Sequence, residues 1–231
     1  MTDDYCLYLS SKKTVVISDL HLGLEGVLRS EGLSIPQYQK KVIVEKIKKI
    51  VEKYKPKKIL VNGDFKHEFG KNLSQEWREI SEILDFLSDK VKEIILIRGN
   101  HDNFLQTIAV HSNVPFKKYY KFEDSLFIHG HKRRKKEYKR LIIGHEHPFI
   151  KIRDKVGATL SLPCYLYSEE LIVLPAFSPL ASGTDMTAVE RKDLLSPVLK
   201  DYDISRLKVV AIGNIGLLDF SKLGKLRKLK M

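Results

Sequence analysis

The sequence predicts an α/β fold built on parallel strands, and three observations predict it. Short runs rich in β-branched residues recur at 14–18, 58–62, 94–98, 126–129, 141–144, 171–174 and 208–212, each with the length and composition of a strand. Segments of helical period separate the first three, and a strand-helix-strand-helix-strand order lays consecutive strands side by side in parallel. After Gly144 the pattern changes: 158–174 reads as two extended segments about a turn at 168–170 without a crossover helix, so an antiparallel addition is expected there.

In 37–54, Ile43, Ile47, Ile50, Val51 and Tyr54 fall on one face, with Pro36 near the start and Pro56 stopping the helix. In 74–87, Trp77, Ile80, Leu84 and Leu87 do the same, which makes Trp77 a helix-core residue, and Ser74 is the expected N-cap. The tail at 221–231 spaces Leu223, Leu226 and Leu229 by three among lysines and arginines, and a frayed terminal helix is expected.

A chain of 231 residues with 43% apolar composition can bury one substantial core, so a single domain over 1–231 is expected. Two cysteines, Cys6 and Cys164, are too few and too far apart for a disulfide framework or a zinc knuckle, which points to a reducing compartment, with Cys164 a small core residue. No apolar run approaches the ~18 residues of a membrane span, and residues 1–14 lack the basic-then-apolar order of a signal peptide. The expectation is a cytoplasmic protein without membrane contact. The net charge of +12 favours anionic partners, although a Lys/Glu/Ile-rich composition also serves surface ion networks in thermophiles.

In a parallel α/β sheet the ligand site lies beyond the carboxyl ends of the strands. Here five strand ends carry metal-competent side chains: Ser18-Asp19-Leu20-His21, Gly63-Asp64, Gly99-Asn100-His101-Asp102, His129-Gly130-His131 and Gly144-His145-Glu146-His147. One such residue alone is more often a turn or cap. Together, Asp19, His21, Asp64, Asn100, His129, His145 and His147 would converge at one edge, offering carboxylate, amide oxygen and imidazole without thiolate, a set suited to manganese, iron or zinc. In Asp-x-His and His-x-His along an extended strand end, residues two apart point to one side. The glycines before Asp64, Asn100 and His145 fit backbones that turn sharply and come close to metal or phosphate.

These motifs, in this order over residues 15–147, resemble the set found in the calcineurin-like metallophosphoesterases. Two stretches, Gly63-Asp64-Phe65-Lys66-His67-Glu68-Phe69 and Leu174-Pro175-Ala176-Phe177, are similar to the small single-domain branch described as DNA-ligase-associated or helicase-associated phosphoesterases. The resemblance implies two packed mixed β-sheets flanked by helices, an αββα four-layer sandwich. It implies two divalent metal ions, manganese foremost with iron, zinc, nickel or magnesium as alternatives. Asp19, His21 and His147 would hold one ion, Asn100, His129 and His145 the other, and Asp64 would bridge them. Where the phosphoprotein phosphatases continue after Gly-Asp with Asp-Arg-Gly, this chain has Phe65-Lys66-His67, which argues against a Ser/Thr protein phosphatase.

The expected reaction is in-line attack on a phosphodiester by a hydroxide bridging the two ions. His101 is the candidate proton donor to the leaving oxygen, a role the resemblance also gives it, and Asp102 would orient its ring. His67 and His131 either contact phosphate and support the ligands or are surface loop residues. Arg133 and Arg134 belong to the basic run at 132–136, directly after the His129 strand end; it would contact a nucleic-acid backbone or form a solvated face. His111 reads as surface and Glu146 as an ordinary loop residue. DNA or RNA is the favoured substrate, with a DNA-processing protein as partner. The alternatives are a small-molecule phosphatase or cyclic-nucleotide phosphodiesterase, and a non-catalytic binding scaffold, against which the completeness of the ligand set stands. A zinc amidohydrolase would need a (β/α)₈ barrel, which this length and the antiparallel part do not fit. Residues 183–203 carry no functional signal.

Overall fold

The computed structural model describes residues 1–33, 35–71, 73–133, 138–153 and 157–228. Strands β1 (Leu7–Leu9), β2 (Thr14–Ile17), β3 (Lys58–Val61), β4 (Glu93–Ile97) and β5 (Phe116–Lys117) form one sheet in that order. β2 to β5 are parallel and β1 is antiparallel to β2. The second sheet holds β6 (Tyr120–Phe122), β7 (Ser125–Phe127), β8 (Arg140–Ile143), β9 (Pro148–Arg153), β10 (Thr159–Tyr167), β11 (Leu171–Val173), β12 (Thr184–Asp185), β13 (Lys208–Gly213) and β14 (Gly216–Lys222). In it β7, β8 and β11 run parallel, whereas β10 is antiparallel to β9, β11 and β13. The parallel core and the antiparallel addition after Gly144 are both present.

Period-two alternation builds three apolar layers. Val15, Ile17, Ile59, Val61 and Leu96 point to one face of the first sheet and pack on α2 (Gln39–Tyr54) and α3 (Ser74–Ser88) through Ile43, Ile47, Ile50, Ile80, Ile83, Leu84 and Leu87. Val16, Leu60, Ile95 and Ile97 point the other way and meet Phe127, Ile142, Tyr165, Val210 and Ile212 of the second sheet. The outer face of the second sheet, with Leu126, Leu141, Ile143, Cys164, Leu166 and Val209, is covered by Leu194, Val198, Leu199, Ile204, Leu207 and Leu223. That outer cover is mostly short 3₁₀ turns with one short helix, α5 (Leu223–Lys228). The helix-sheet-sheet-helix order holds, with one helical layer much thinner than the other.

Several local expectations change. The second long helix starts at Ser74, so Ser74 is its first turn and not its cap; the N–H of Leu73 is satisfied by Glu76 Oε2 at 3.0 Å. Trp77 is 38% exposed, because Ile83 joins Ile80, Leu84 and Leu87 on the buried stripe and leaves Trp77 at its edge, beside His111 at 5.9 Å between ring centroids. His111 ends a short helix, α4 (Leu105–His111), which carried too few periodic residues to be legible, as did α1 (Leu24–Ser30). The tail is docked as far as residue 228, since Leu223 is buried and Arg227 donates to the carbonyls of Met186 and Val189, both at 2.9 Å. No helix among the described residues is long and apolar enough to cross a membrane.

Phe127 is 1% exposed between the two sheets. Phe127→Ala is expected to lower unfolding stability by about 3–5 kcal/mol, measured by urea titration of the circular-dichroism signal; a loss under ~1 kcal/mol would mean that the sheets do not share this core.

Candidate metal centre

Strands β2 and β8 stop at Ile17 and Ile143, before the residues of interest. Asp19, His21, Asp64, His145 and His147 all have left-handed backbone, with φ of 60°, 48°, 50°, 69° and 47°. For residues with a Cβ this region is sparsely populated and costs free energy, which neighbouring contacts must offset. The paired residues of Asp-x-His and His-x-His therefore share a side because each sits in a left-handed turn, not because an extended strand alternates. At Gly99 a Cβ would overlap Asp64, including its backbone nitrogen at the point where the carboxylate is fixed. A Cβ at Gly144 would overlap Ser18 and Asp19 in the same way. The glycines matter because backbone here packs directly on the acidic side chains.

Ligand atoms of Asp19, His21 and His147 lie within 4.8 Å of one another, as do those of Asp64, His129 and His145. His147 Nε2 is 3.1 Å from Asp19 Oδ1 and 3.3 Å from His21 Nε2. His129 Nε2 is 3.1 Å from Asp64 Oδ2 and 3.1 Å from Asn100 Oδ1. Asp64 Oδ2 also lies 3.8 Å from His21 Nε2, so one carboxylate faces both groups. An ion bonded at ~2.0–2.2 Å holds its ligands roughly 3–4 Å apart, and the His147–Asp19, His147–His21, His129–Asp64 and His129–Asn100 pairs have that spacing. The tautomers fit too. His129 Nδ1 donates to Asn62 O at 3.1 Å and His147 Nδ1 to Ser182 O at 2.7 Å, which leaves each Nε2 turned to the centre. His21, His67 and His101 make a third close trio, with the His67 and His101 rings stacked at 5.1 Å and 18°.

His101 Nδ1 donates to His67 O at 2.5 Å, and His101 N–H donates to Asp64 Oδ1 at 2.9 Å. Asp102 does not orient that ring. Its fully buried carboxylate accepts from the backbone N–H groups of Asp64 and Phe65 at 2.9 Å, Lys66 at 3.3 Å and Gly99 at 2.8 Å. Four donors aimed at one carboxylate leave no role for the imidazole next to it. Beyond this clamp, Lys66 and Glu76 are buried as a pair 3.3 Å apart, and Glu76 accepts from His67 N at 3.1 Å and Glu68 N at 2.6 Å.

Glu146 is also misjudged from sequence. It is fully buried and accepts from Leu195 N and Ser196 N at 3.1 and 2.8 Å, while Ser196 Oγ donates to Gly130 O at 2.8 Å. Through these bonds and Ser182, residues 182–196 brace two site segments, 129–131 and 145–147; the only sequence signal was an acidic residue between two site histidines. Arg133 turns away, in a bidentate pair with Asp201 at 2.6 and 2.8 Å, and lines a groove of about 1050 Å³ that contains none of the grouped ligands. Its side chain is thus turned to Asp201 and not to the grouped ligands, unlike the expected substrate contact. Arg134 lies outside the described residues. His131 stays beside the centre, 5.4 Å from His129 between rings, with its Nδ1 buried and without a hydrogen-bond partner among the described residues.

Charge is finely balanced. Burial alone would raise the Asp19 and Asp64 carboxyls, yet the His147 and His129 rings beside Asp19, and His129 and His21 beside Asp64, hold both below the usual range. Burial likewise opposes charge on His129, but Asp64 and Asp19 raise it to about 9, and Asp19 raises His147 against the same burial. Burial pushes His21 down to about 3 and His145 and His67 to about 4. Without a cation, the two buried carboxylates thus favour protonation of His129 and His147 against their burial.

Compared with known families, residues 12–204 match the calcineurin-like phosphoesterases. No curated protein matches the chain significantly in sequence. Among solved structures the chain is similar to the Pseudomonas putida nuclease MPE, with a TM-score of 0.70 and 15% identity over 95% of this chain and 94% of that one. It is also similar to YfcE, a phosphoesterase from E. coli, with a TM-score of 0.44 and 14% identity over 92% of this chain and 93% of that one. The first match shows a shared fold across nearly the whole chain.

Two outcomes are expected. Cation binding displaces protons held by His129 and His147, so Mn²⁺ affinity by calorimetry should strengthen as pH rises from 6 to 9, with a heat that depends on the buffer's ionisation enthalpy; a pH-independent affinity would contradict the balance. Asp102→Asn replaces one acceptor oxygen by a donor facing backbone N–H groups, so the urea midpoint should fall, by roughly 1–3 kcal/mol per group left unpaired. Unchanged stability with a loss of kcat alone would return Asp102 to the ring of His101.

Proposed function

Since the chain belongs to the calcineurin-like phosphoesterase family and is a hydrolase of phosphate esters, we propose that it is a metal-dependent phosphodiesterase acting on DNA or RNA strands. Asp19, His21 and His147 would hold one divalent cation, Asn100, His129 and His145 a second, and Asp64 both. The observation that carries this reading is the buried Asp64 carboxylate, 3.1 Å from His129 and 3.8 Å from His21, shared between the two groups. Cations held there would activate water and neutralise the phosphoryl oxygens. The mixed oxygen and imidazole donors favour manganese, then iron, zinc, nickel or magnesium.

The protein's own groups do the rest. Asn62 O and Ser182 O lock two ligand rings, and the left-handed turns aim four more side chains without any search at the moment of reaction. His101 Nδ1 is engaged by His67 O, so Nε2 is the atom that hands a proton to the leaving oxygen. Its ring stands 5.0 Å from that of His21 and nearly perpendicular to it, beside the first ligand group. His67 lies beside His21 of one group and His131 beside His129 of the other, and both would line the phosphate. Nucleic acid is favoured by the net charge of +12 and by the nuclease whose fold the chain shares. Two free, buried cysteines fit the reducing cytoplasm we propose, and the core shared by both sheets fits one domain over 1–231.

One feature favours a second reading, a small-molecule diester. A pocket of about 510 Å³ beside His147 is lined by Tyr5, Phe149, Pro148, Pro163 and Pro179 and would suit an aromatic leaving group. Bis(4-nitrophenyl) phosphate, 4-nitrophenyl phosphate and a single-stranded oligonucleotide separate the readings. With Mn²⁺ the diester and the oligonucleotide should be cleaved faster than the monoester; chelation should abolish turnover and added Mn²⁺ restore it. His101→Ala should lower kcat by ~100- to 10,000-fold, and Asp64→Asn should lose Mn²⁺ affinity together with activity. Monoester preference would make the protein a phosphatase, and diester cleavage without oligonucleotide cleavage would support the small-molecule reading.

A further inference from the structure

A second pocket, of about 220 Å³, borders the centre on its other side and is lined by Arg98, Lys118, His129, Gly130, His131 and Lys132. Its three cations come from separate places in the chain. Arg98 follows β4 immediately before Gly99, Lys118 follows β5, and Lys132 follows the His129-Gly130-His131 segment. Backbone pairing brings the first two together, since Arg98 N–H donates to Lys117 O at 2.8 Å. All three are exposed, and among the described residues no carboxylate lies within ion-pair distance of any of them. The next residue is the contrast: Arg133 is neutralised by Asp201. Arg98 has one side-chain partner, donating to Asn103 Oδ1 at 3.0 Å, which leaves guanidinium donors for another acceptor.

Like charges that gather around one concavity repel one another, and an anion bound between them offsets that repulsion. His129 belongs both to this wall and to the candidate metal centre, so whatever the pocket takes lies directly beside the proposed site of hydrolysis. We propose that the pocket formed by Arg98, Lys118 and Lys132 is a second phosphate subsite, which takes the phosphate adjacent to the scissile one in a nucleic-acid strand. This rests on the phosphodiesterase reading and goes beyond it by naming what distinguishes a strand from an isolated diester. An arginine with two lysines would position the neighbouring phosphate by charge and hydrogen bonds without reading a base. Substrates that lack this second phosphate would leave the three cations unanswered.

The test uses thymidine 4-nitrophenyl phosphodiesters, with the nitrophenyl ester at the 5′ or the 3′ position, each made with and without a phosphate at the other position. In wild-type enzyme with Mn²⁺, the added phosphate should raise kcat/KM by roughly tenfold to a hundredfold, as charged hydrogen bonds to one phosphate imply, in one of the two isomers, which also fixes strand polarity. In the triple variant Arg98→Gln, Lys118→Gln, Lys132→Gln that gain should vanish, with an unchanged melting curve showing that the exposed substitutions leave the fold intact. No gain in either wild-type isomer, or a gain that survives in the variant, overturns the subsite while leaving the diesterase reading in place. Wild-type enzyme that hydrolyses none of the four diesters overturns the diesterase reading and the subsite with it.

Discussion

The centre depends on one buried carboxylate that touches no substrate. Asp102 collects backbone N–H groups from the turn after β3 and from Gly99 after β4, and so ties two neighbouring strand ends into a single rigid loop pair. Asp64 and Asn100 ride on those loops. Burial and the nearby Asp64 push the Asp102 carboxyl up to about 7, and the donors that surround it oppose the rise. A charge in that position is tolerable only while every donor is in place. Glu76 repeats the arrangement one turn further out, with Lys66 as its buried counterion. The site is therefore held by acidic side chains behind it as well as built from acidic side chains within it.

The second constraint is neutrality. Asp19 and Asp64 are buried at a common point, and two carboxylates in a dry site need positive charge close by. His129 and His147 stand beside them, their protonation favoured by the carboxylates and their far nitrogens held by main-chain carbonyls. A divalent cation held at either group would take the place of a proton there, so the same residues would be coherent in both conditions.

Much of this was readable from the chain. Five motifs placed at strand ends identified the seven residues that the structure gathers, and period-two and period-3.6 patterns located the parallel strands and both long helices. The failures share a cause. Asp102 follows His101 in sequence, and adjacency suggested a partner; contacts 36 to 38 residues distant decide its role instead. Glu146, Ser182 and Ser196 act through main-chain groups of irregular loops, which leave no periodic trace. Trp77 obeyed the helical period but fell at the margin of the stripe, where a one-residue rotation exposes it. Arg133 shared a basic run with Lys132, yet the two neighbours face different grooves. Composition reports how many cations a segment has and says nothing of which acid each one meets.

The left-handed turns have a consequence for reuse of the site. In Asp19-Leu20-His21 and His145-Glu146-His147 the outer residues sit at positive φ while Leu20 and Glu146 between them point into the protein, fully buried. Grafting the same three-residue strings onto the end of an ordinary β-strand would reproduce the spacing and lose the direction, because a host backbone would relax to negative φ. A transplant would have to carry the packing of the middle residue and the glycine-lined backbone opposite it. The unit that moves intact between proteins is the turn with its supports, and the ligand spacing is only its outward sign.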